Sequence, residues 1–138
     1  MVPGRVLGLR RSAHGEYGTT LVASQDRQRL YEFNGIGRHT RTIHGFTGQT
    51  LLNFEYDTAG RLTAVVDGDA QRTTIERSSN GDPQAIVAPF GQRTELTLDG
   101  HGYLATIKPD PNHPAYRFTY RPDGLMTQLI DPAGSTLV

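Results

Sequence analysis

The stretch Phe54-Glu55-Tyr56-Asp57-Thr58-Ala59-Gly60-Arg61-Leu62-Thr63 decides the fold. Its first three residues run apolar, polar, apolar, the period of a strand with one face covered and one face wet. Asp57 follows, with a side chain that bonds readily to backbone groups two residues on. Gly60 then closes the turn, where a glycine takes positive φ without steric cost. The arrangement returns with glycines at Gly37, Gly81, Gly102 and Gly124, so that the five closing glycines lie 23, 21, 21 and 22 residues apart. A fixed period of this size marks a repeat architecture.

Each column of the repeat has a physical role. Six residues before the glycine stand Tyr31, Phe54, Ile75, Leu96 and Phe118; four before it stand Phe33, Tyr56, Arg77, Leu98 and Tyr120. Glu32, Glu55, Glu76, Thr97 and Thr119 lie between them on the wet face. Arg77 departs from the covered column, although its stem can still cover apolar surface. Asn34, Asp57, Ser78, Asp99 and Arg121 open the turn. Second strands are predicted over 40–43, 62–66, 84–87, 104–107 and 126–130, each ended by a second turn such as His44-Gly45-Phe46-Thr47-Gly48 or Asp131-Pro132-Ala133-Gly134. The unit is therefore a β-hairpin, and the fold class is all-β, an open twisted antiparallel meander of about ten strands. Residues 28–138 hold five such repeats, and residues 1–27 are expected to be a degenerate first repeat or an insertion, with Leu21-Val22-Ala23 as its candidate strand.

Composition agrees with short strands and many turns. Hydrophobic residues make up 36% of the 138, and there are 16 glycines and 8 prolines. Fourteen basic side chains balance fourteen acidic ones, which disfavours a nucleic-acid binder. No apolar run approaches the ~18 residues of a membrane-spanning helix, and the start, Met1-Val2-Pro3-Gly4-Arg5, lacks the apolar core of a signal peptide. Cysteine is absent, so disulfides and thiolate metal sites are excluded.

Residues 54–63 match, almost residue for residue, the consensus Tyr-Asp-x-x-Gly-Arg-Leu. Leu98-Asp99-Gly100-His101-Gly102-Tyr103-Leu104 keeps the Asp and Gly, and Tyr120-Arg121-Pro122-Asp123-Gly124-Leu125 keeps the Tyr and Gly. Over residues 28–138 the chain resembles the Rhs/YD-repeat family, which includes toxin-complex shell subunits and teneurin ectodomains. The resemblance implies a β-ribbon spiralling into a hollow shell: a scaffold that encloses a toxin in bacterial members and supports cell-surface recognition in teneurins. It also implies a secreted or cell-surface location within a larger protein. Five repeats are too few to close a shell, and neither end shows a capping element. A piece of a longer protein, or a chain that pairs with itself or a neighbour, is expected. The lack of cysteine inclines this expectation towards the bacterial branch.

No catalytic constellation stands out, and no cofactor is expected. Asp57, Asp67, Asp99 and Asp131 recur with the turns, which assigns them to turn chemistry before hydrolysis. Asp131-Pro132 has a counterpart in the self-cleaving core of Rhs proteins, but the aromatic and arginine pattern that flanks that core is missing here. His14, His39, His44, His101 and His113 read as scattered turn histidines, not metal ligands, and Asp67-Gly68-Asp69 lacks the rest of a calcium loop. Tyr31, Phe33, Phe54, Tyr56, Phe118 and Tyr120 form an aromatic ladder. Cross-strand packing is its expected role, with stacking on a glycan as the alternative. The expected partners are further YD repeats, an enclosed toxin domain or a glycan, with self-association through edge strands. A binding module and a self-cleaving element are the alternatives to a structural role.

Overall fold

The turns set the architecture, because each one reverses the chain and returns it beside the strand it has just left. The computed structural model describes residues 18–137. Eleven strands follow one another: β1 (Thr20–Ala23), β2 (Arg29–Phe33), β3 (His39–His44), β4 (Thr50–Tyr56), β5 (Leu62–Asp67), β6 (Arg72–Arg77), β7 (Pro83–Val87), β8 (Arg93–Leu98), β9 (Leu104–Lys108), β10 (Tyr116–Tyr120) and β11 (Met126–Ile130). The fold is an all-β antiparallel meander, with no helix among the described residues. Two compact units divide the chain between Arg72 and Thr73. In the first, β1 to β5 pair in chain order; in the second, β6 to β11 do the same. Leu21, Val22 and Ala23 belong to β1, which is joined to β2 in register from Thr20↔Phe33 to Ala23↔Leu30. The rest of the expected degenerate segment, residues 1–17, lies outside the described residues.

One hairpin turn recurs at eight places, whereas the turns at Ser24, His44 and Asp110 are bonded differently. At Asn34, Asp57, Asp67, Ser78, Ala88, Asp99, Arg121 and Asp131 the opening N–H donates to the carbonyl four residues on, and the N–H three residues on donates back to the opening carbonyl. A residue at positive φ stands at that third place, as in a type I turn closed by a left-handed residue. Gly37, Gly60, Gly81, Gly102 and Gly124 have φ between 79° and 91°, and Gly91 and Gly134 match them. The sequence treats the two turns of a repeat as different, yet the second turns at Asp67, Ala88 and Asp131 share the geometry of the first.

Register slips accompany every first turn and also the second turn at His44, between Thr42 and Ile43. After each first turn the register slips by one residue, at Glu32/Phe33, Glu55/Tyr56, Glu76/Arg77, Thr97/Leu98 and Thr119/Tyr120. The extra residue is Thr40, Thr63, Gln84, Ala105 or Thr127, a bulge in the returning strand. In three repeats the bulge threonine donates its hydroxyl to a carbonyl of the facing strand, at 3.2 Å each: Thr40 to Glu32, Thr63 to Glu55 and Thr127 to Thr119. Such a bond gives the interrupted ladder a side-chain donor in place of a backbone one.

Ala70 takes the left-handed place of the β5–β6 turn with φ 62°. An L-residue there costs about 1–2 kcal/mol, partly offset by the greater freedom glycine has in the unfolded chain. Ala70→Gly is expected to stabilise the protein by about 0.5–1 kcal/mol, read as a rise in the midpoint of urea unfolding.

Little of the chain is deeply buried. Ile43 at 9% exposure and Ala64 and Ala85 at 0% are the buried hydrophobic residues, Thr42 is the buried polar one, and no large side chain is fully buried among the described residues. The alanines owe their burial to ion pairs that pass over them. Ala64 faces Glu55 in register, and Glu55 reaches across β5 to a two-pronged bond with Arg72 at 2.7 Å per prong. Ala85 faces both Glu76 and Glu95, and Glu76 bonds Arg93 across β7. A longer side chain at 64 or 85 would stand in the path of these pairs.

Candidate functional site

The turn that opens a repeat carries its own polar bonds. Asn34 Oδ1 accepts the N–H groups of Ile36 and Arg38 at 3.2 and 2.9 Å, and Asp99 Oδ1 accepts those of His101 and Tyr103 at 2.8 and 3.0 Å. Asp57 Oδ1 takes the N–H of Arg61 at 2.9 Å while Oδ2 takes its Nε–H at 2.8 Å, and these bonds hold its carboxyl below the ordinary range. Asp131 is placed alike, its Oδ1 accepting the N–H of Ser135. His44 does the same work with a ring: Nδ1 accepts from the N–H of Phe46 and Thr47. Arg121 opens its turn without a side-chain acceptor, and Asp123 supplies one instead, to the N–H of Leu125.

Within each unit a turn leans on the preceding turn at the same end of the strands. A Cβ built on Gly60 would fall 1.7 Å from Arg38 Nη2, so the Arg38 side chain occupies the face that the glycine leaves open. The Arg38 guanidinium also lies 5.7 Å from the centre of the Tyr56 ring, a cation–π distance. Tyr103 stands over Gly124 in the same way, its hydroxyl 3.1 Å from the would-be Cβ. Arg38 and Tyr103 each directly follow a closing glycine, so at these two places one repeat passes a side chain to the next repeat's glycine, whereas Gly102 has open space on that face. At the opposite end, Gly45 donates its N–H to Gln28 O at 2.8 Å, and its face lies flat against the Arg27 carbonyl.

The aromatic ladder is half-buried throughout: Tyr31, Phe33, Phe54, Tyr56, Phe118 and Tyr120 are neither fully covered nor open. In the first unit the rings converge on His39, at 5.7 Å from Tyr31, 5.2 Å from Phe33 and 4.2 Å from Phe54. His39 Nε2 meets Arg41 O at 2.9 Å, and the Tyr56 hydroxyl donates to His39 O at 2.7 Å. His39 is thus the first residue of β3 and the hub of the cluster, not a turn histidine. In the second unit Tyr103 joins Tyr120 at 5.2 Å and His101 at 6.2 Å. Arg77, in the covered column, turns its Nη1 back to Gly81 O at 2.9 Å.

On the other face Glu32 is the most enclosed of the repeat glutamates, with its side chain 14% exposed. Arg41, its register partner, grips both carboxylate oxygens at 2.9 and 2.6 Å, and Thr40 adds a bond at 3.0 Å. The Arg41 bonds, against the opposing effect of burial and with help from Thr40, hold the carboxyl below its ordinary 4.5. A depressed folded value means that the bond's stabilisation is present above the unfolded value of 4.5 and is lost as pH falls through the folded one. Acid titration of unfolding is expected to show this loss, and Glu32→Gln to remove about 1 kcal/mol at neutral pH together with that part of the acid sensitivity.

No group of three or more His, Asp or Glu among the described residues could hold a metal ion, and no helix there is long and apolar enough to cross a membrane. The glycine-closed turns, the bulged meander and the side chains passed between repeats define a YD-repeat sheet. The Teneurin YD-shell family model matches residues 17–138, and the chain belongs to that family. Teneurin-3 of Danio rerio is 35% identical over 103 residues, covering 75% of this chain and 4% of that protein. Teneurin-3 of Mus musculus is 34% identical over 116 residues, covering 83% of this chain and 4% of that protein. Teneurin-m of Drosophila melanogaster is 27% identical over 123 residues, covering 85% and 4%. The chain therefore spans about 4% of the length of these relatives. These animal relatives overturn the expectation of a bacterial, toxin-enclosing protein. Cysteine content was a poor guide to origin, because hairpin pairing, ion pairs and ring contacts hold this sheet without disulfides.

Proposed function

We propose that the chain is a structural segment of a YD shell in a larger cell-surface protein, working as wall and not as catalyst. Five repeats over residues 28–138 would form this wall, and further YD repeats of the same or a neighbouring chain are its partners. The observation that supports this is the absence of any fully buried large side chain among the described residues. A self-sufficient domain of this size covers a substantial core. Here the ladder aromatics and the Glu–Arg pairs are half-covered on their two faces, which suits a layer finished by neighbours. The glycan-binding alternative gains no support, since Tyr31, Phe33 and Phe54 turn their rings to His39 and Tyr120 turns its ring to Tyr103.

Light scattering of the purified chain across a concentration series tests this reading. Self-association that grows with concentration is expected, because β1 has no strand on its far side among the described residues and offers a row of unpaired backbone groups. A monomer at the highest concentration reached would contradict it and favour a self-contained binding module.

A further inference from the structure

We propose that Asn34-Gly35 is a spontaneous deamidation site that the β2–β3 turn activates. Asn34 is the one turn-opening residue of the five repeats with a side-chain amide, the others being Asp57, Ser78, Asp99 and Arg121. Its Oδ1 accepts two backbone N–H groups, from Ile36 at 3.2 Å and Arg38 at 2.9 Å. Two donors on a carbonyl oxygen draw charge from Cγ and stabilise the oxyanion formed when a nucleophile adds there. The nucleophile is the backbone nitrogen of Gly35. Gly35 is exposed, carries no Cβ to obstruct approach, and stands at the turn position whose N–H the turn does not use; the turn's own bonds are donated by Asn34 and Gly37.

Asn80-Gly81 has the same dipeptide and the opposite setting. Gly81 is buried, and its N–H is donated to Ser78 O at 2.9 Å. That nitrogen is already engaged in closing its turn.

The step balances with water alone. Hydroxide removes the Gly35 N–H proton, and the nitrogen bonds to Asn34 Cγ. The Cγ–Nδ2 bond breaks and ammonia leaves, giving a five-membered succinimide. Water then opens the ring. Attack at the side-chain carbonyl gives aspartate at position 34; attack at the backbone carbonyl gives isoaspartate. No electron is gained or lost. The aspartate product has the residue type of Asp57 and Asp99 and keeps an acceptor for Ile36 and Arg38. The isoaspartate product adds a methylene to the main chain inside the turn. The bonds Asn34 N–H to Arg38 O and Gly37 N–H to Asn34 O then no longer fit together, and Arg38 is drawn from its place over Gly60. Ageing would thus loosen one defined repeat contact.

The test incubates the full chain in mildly alkaline buffer, native and in denaturant, and maps aspartate and isoaspartate by peptide mass spectrometry. Position 34 is expected to convert several-fold ahead of Asn80 in the native chain, and no more slowly natively than in denaturant. Gly35→Pro removes the nucleophilic N–H and places proline where Pro89, Pro122 and Pro132 stand in sibling turns, so conversion should stop while thermal unfolding is retained. Position 34 lagging behind Asn80, protection by the native turn, or continued conversion in the Gly35→Pro chain would each overturn the proposal.

Discussion

Gly60→Ala is expected to lower the unfolding free energy by about 1–2 kcal/mol, from two separate causes. Gly60 has φ 82°, where replacing glycine by an L-residue costs about 0.5–1 kcal/mol net of glycine's greater freedom in the unfolded chain. Its new methyl group would also fall on the Arg38 guanidinium, 1.7 Å from Nη2. Arg38 is flexible and can leave, but it then gives up the Tyr56 ring, a contact of about 0.5–1 kcal/mol. Denaturant unfolding reads the sum. Gly37→Ala is the control, because it shares the positive φ at 79° but has open space where its Cβ would sit. It should lose only the backbone part.

Gly45→Ala is expected to cost about 2–3 kcal/mol by a different route. Gly45 does not have positive φ, so the backbone itself tolerates a side chain. The obstacle is the Arg27 carbonyl oxygen, 2.2 Å from the Cβ position, with Gln28 C at 3.2 Å. That obstacle is main chain and cannot rotate away. Relief requires the β1–β2 turn to separate from the β3–β4 turn, which breaks the Gly45 N–H bond to Gln28 O. Arg27 already sits at φ 60°, so its turn has little room to shift. Thermal unfolding should show the loss, and hydrogen exchange should place it at the amides of Ser24 to Arg29, with the turn at Asp57 unchanged.

The strands and first turns were legible because two signals coincide in this sequence. Apolar–polar alternation as in Phe54-Glu55-Tyr56 predicts a strand, and an Asx residue three before a glycine predicts where it reverses. The second turns were harder to recognise as the same device, since Ala70 and Arg27 take left-handed places where glycine would have announced them. The bulges left no trace. Thr40, Thr63 and Thr127 are good strand formers, and nothing in the local pattern separates an extra threonine from a paired one. His39 was misplaced because its neighbours Gly37 and Gly45 suggest loops, whereas the tight turn at Asn34 has already ended before it. The contacts between repeats were hidden for a different reason. Arg38 and Gly60 lie one repeat apart, and only the recurrence of a long side chain after the glycine, in Gly37-Arg38, Gly60-Arg61 and Gly102-Tyr103, hinted that it has work to do.

Side chains laid over glycines join one repeat to the next at Gly60 and Gly124. A double-mutant cycle on Arg38→Ala and Gly60→Ala, measured by denaturant unfolding, tests this link most directly. The structure predicts that Gly60→Ala costs less in the Arg38→Ala background, with a coupling of about 0.5–1 kcal/mol. Costs that simply add would mean that Arg38 and Gly60 act independently, and the proposed link between repeats would be contradicted.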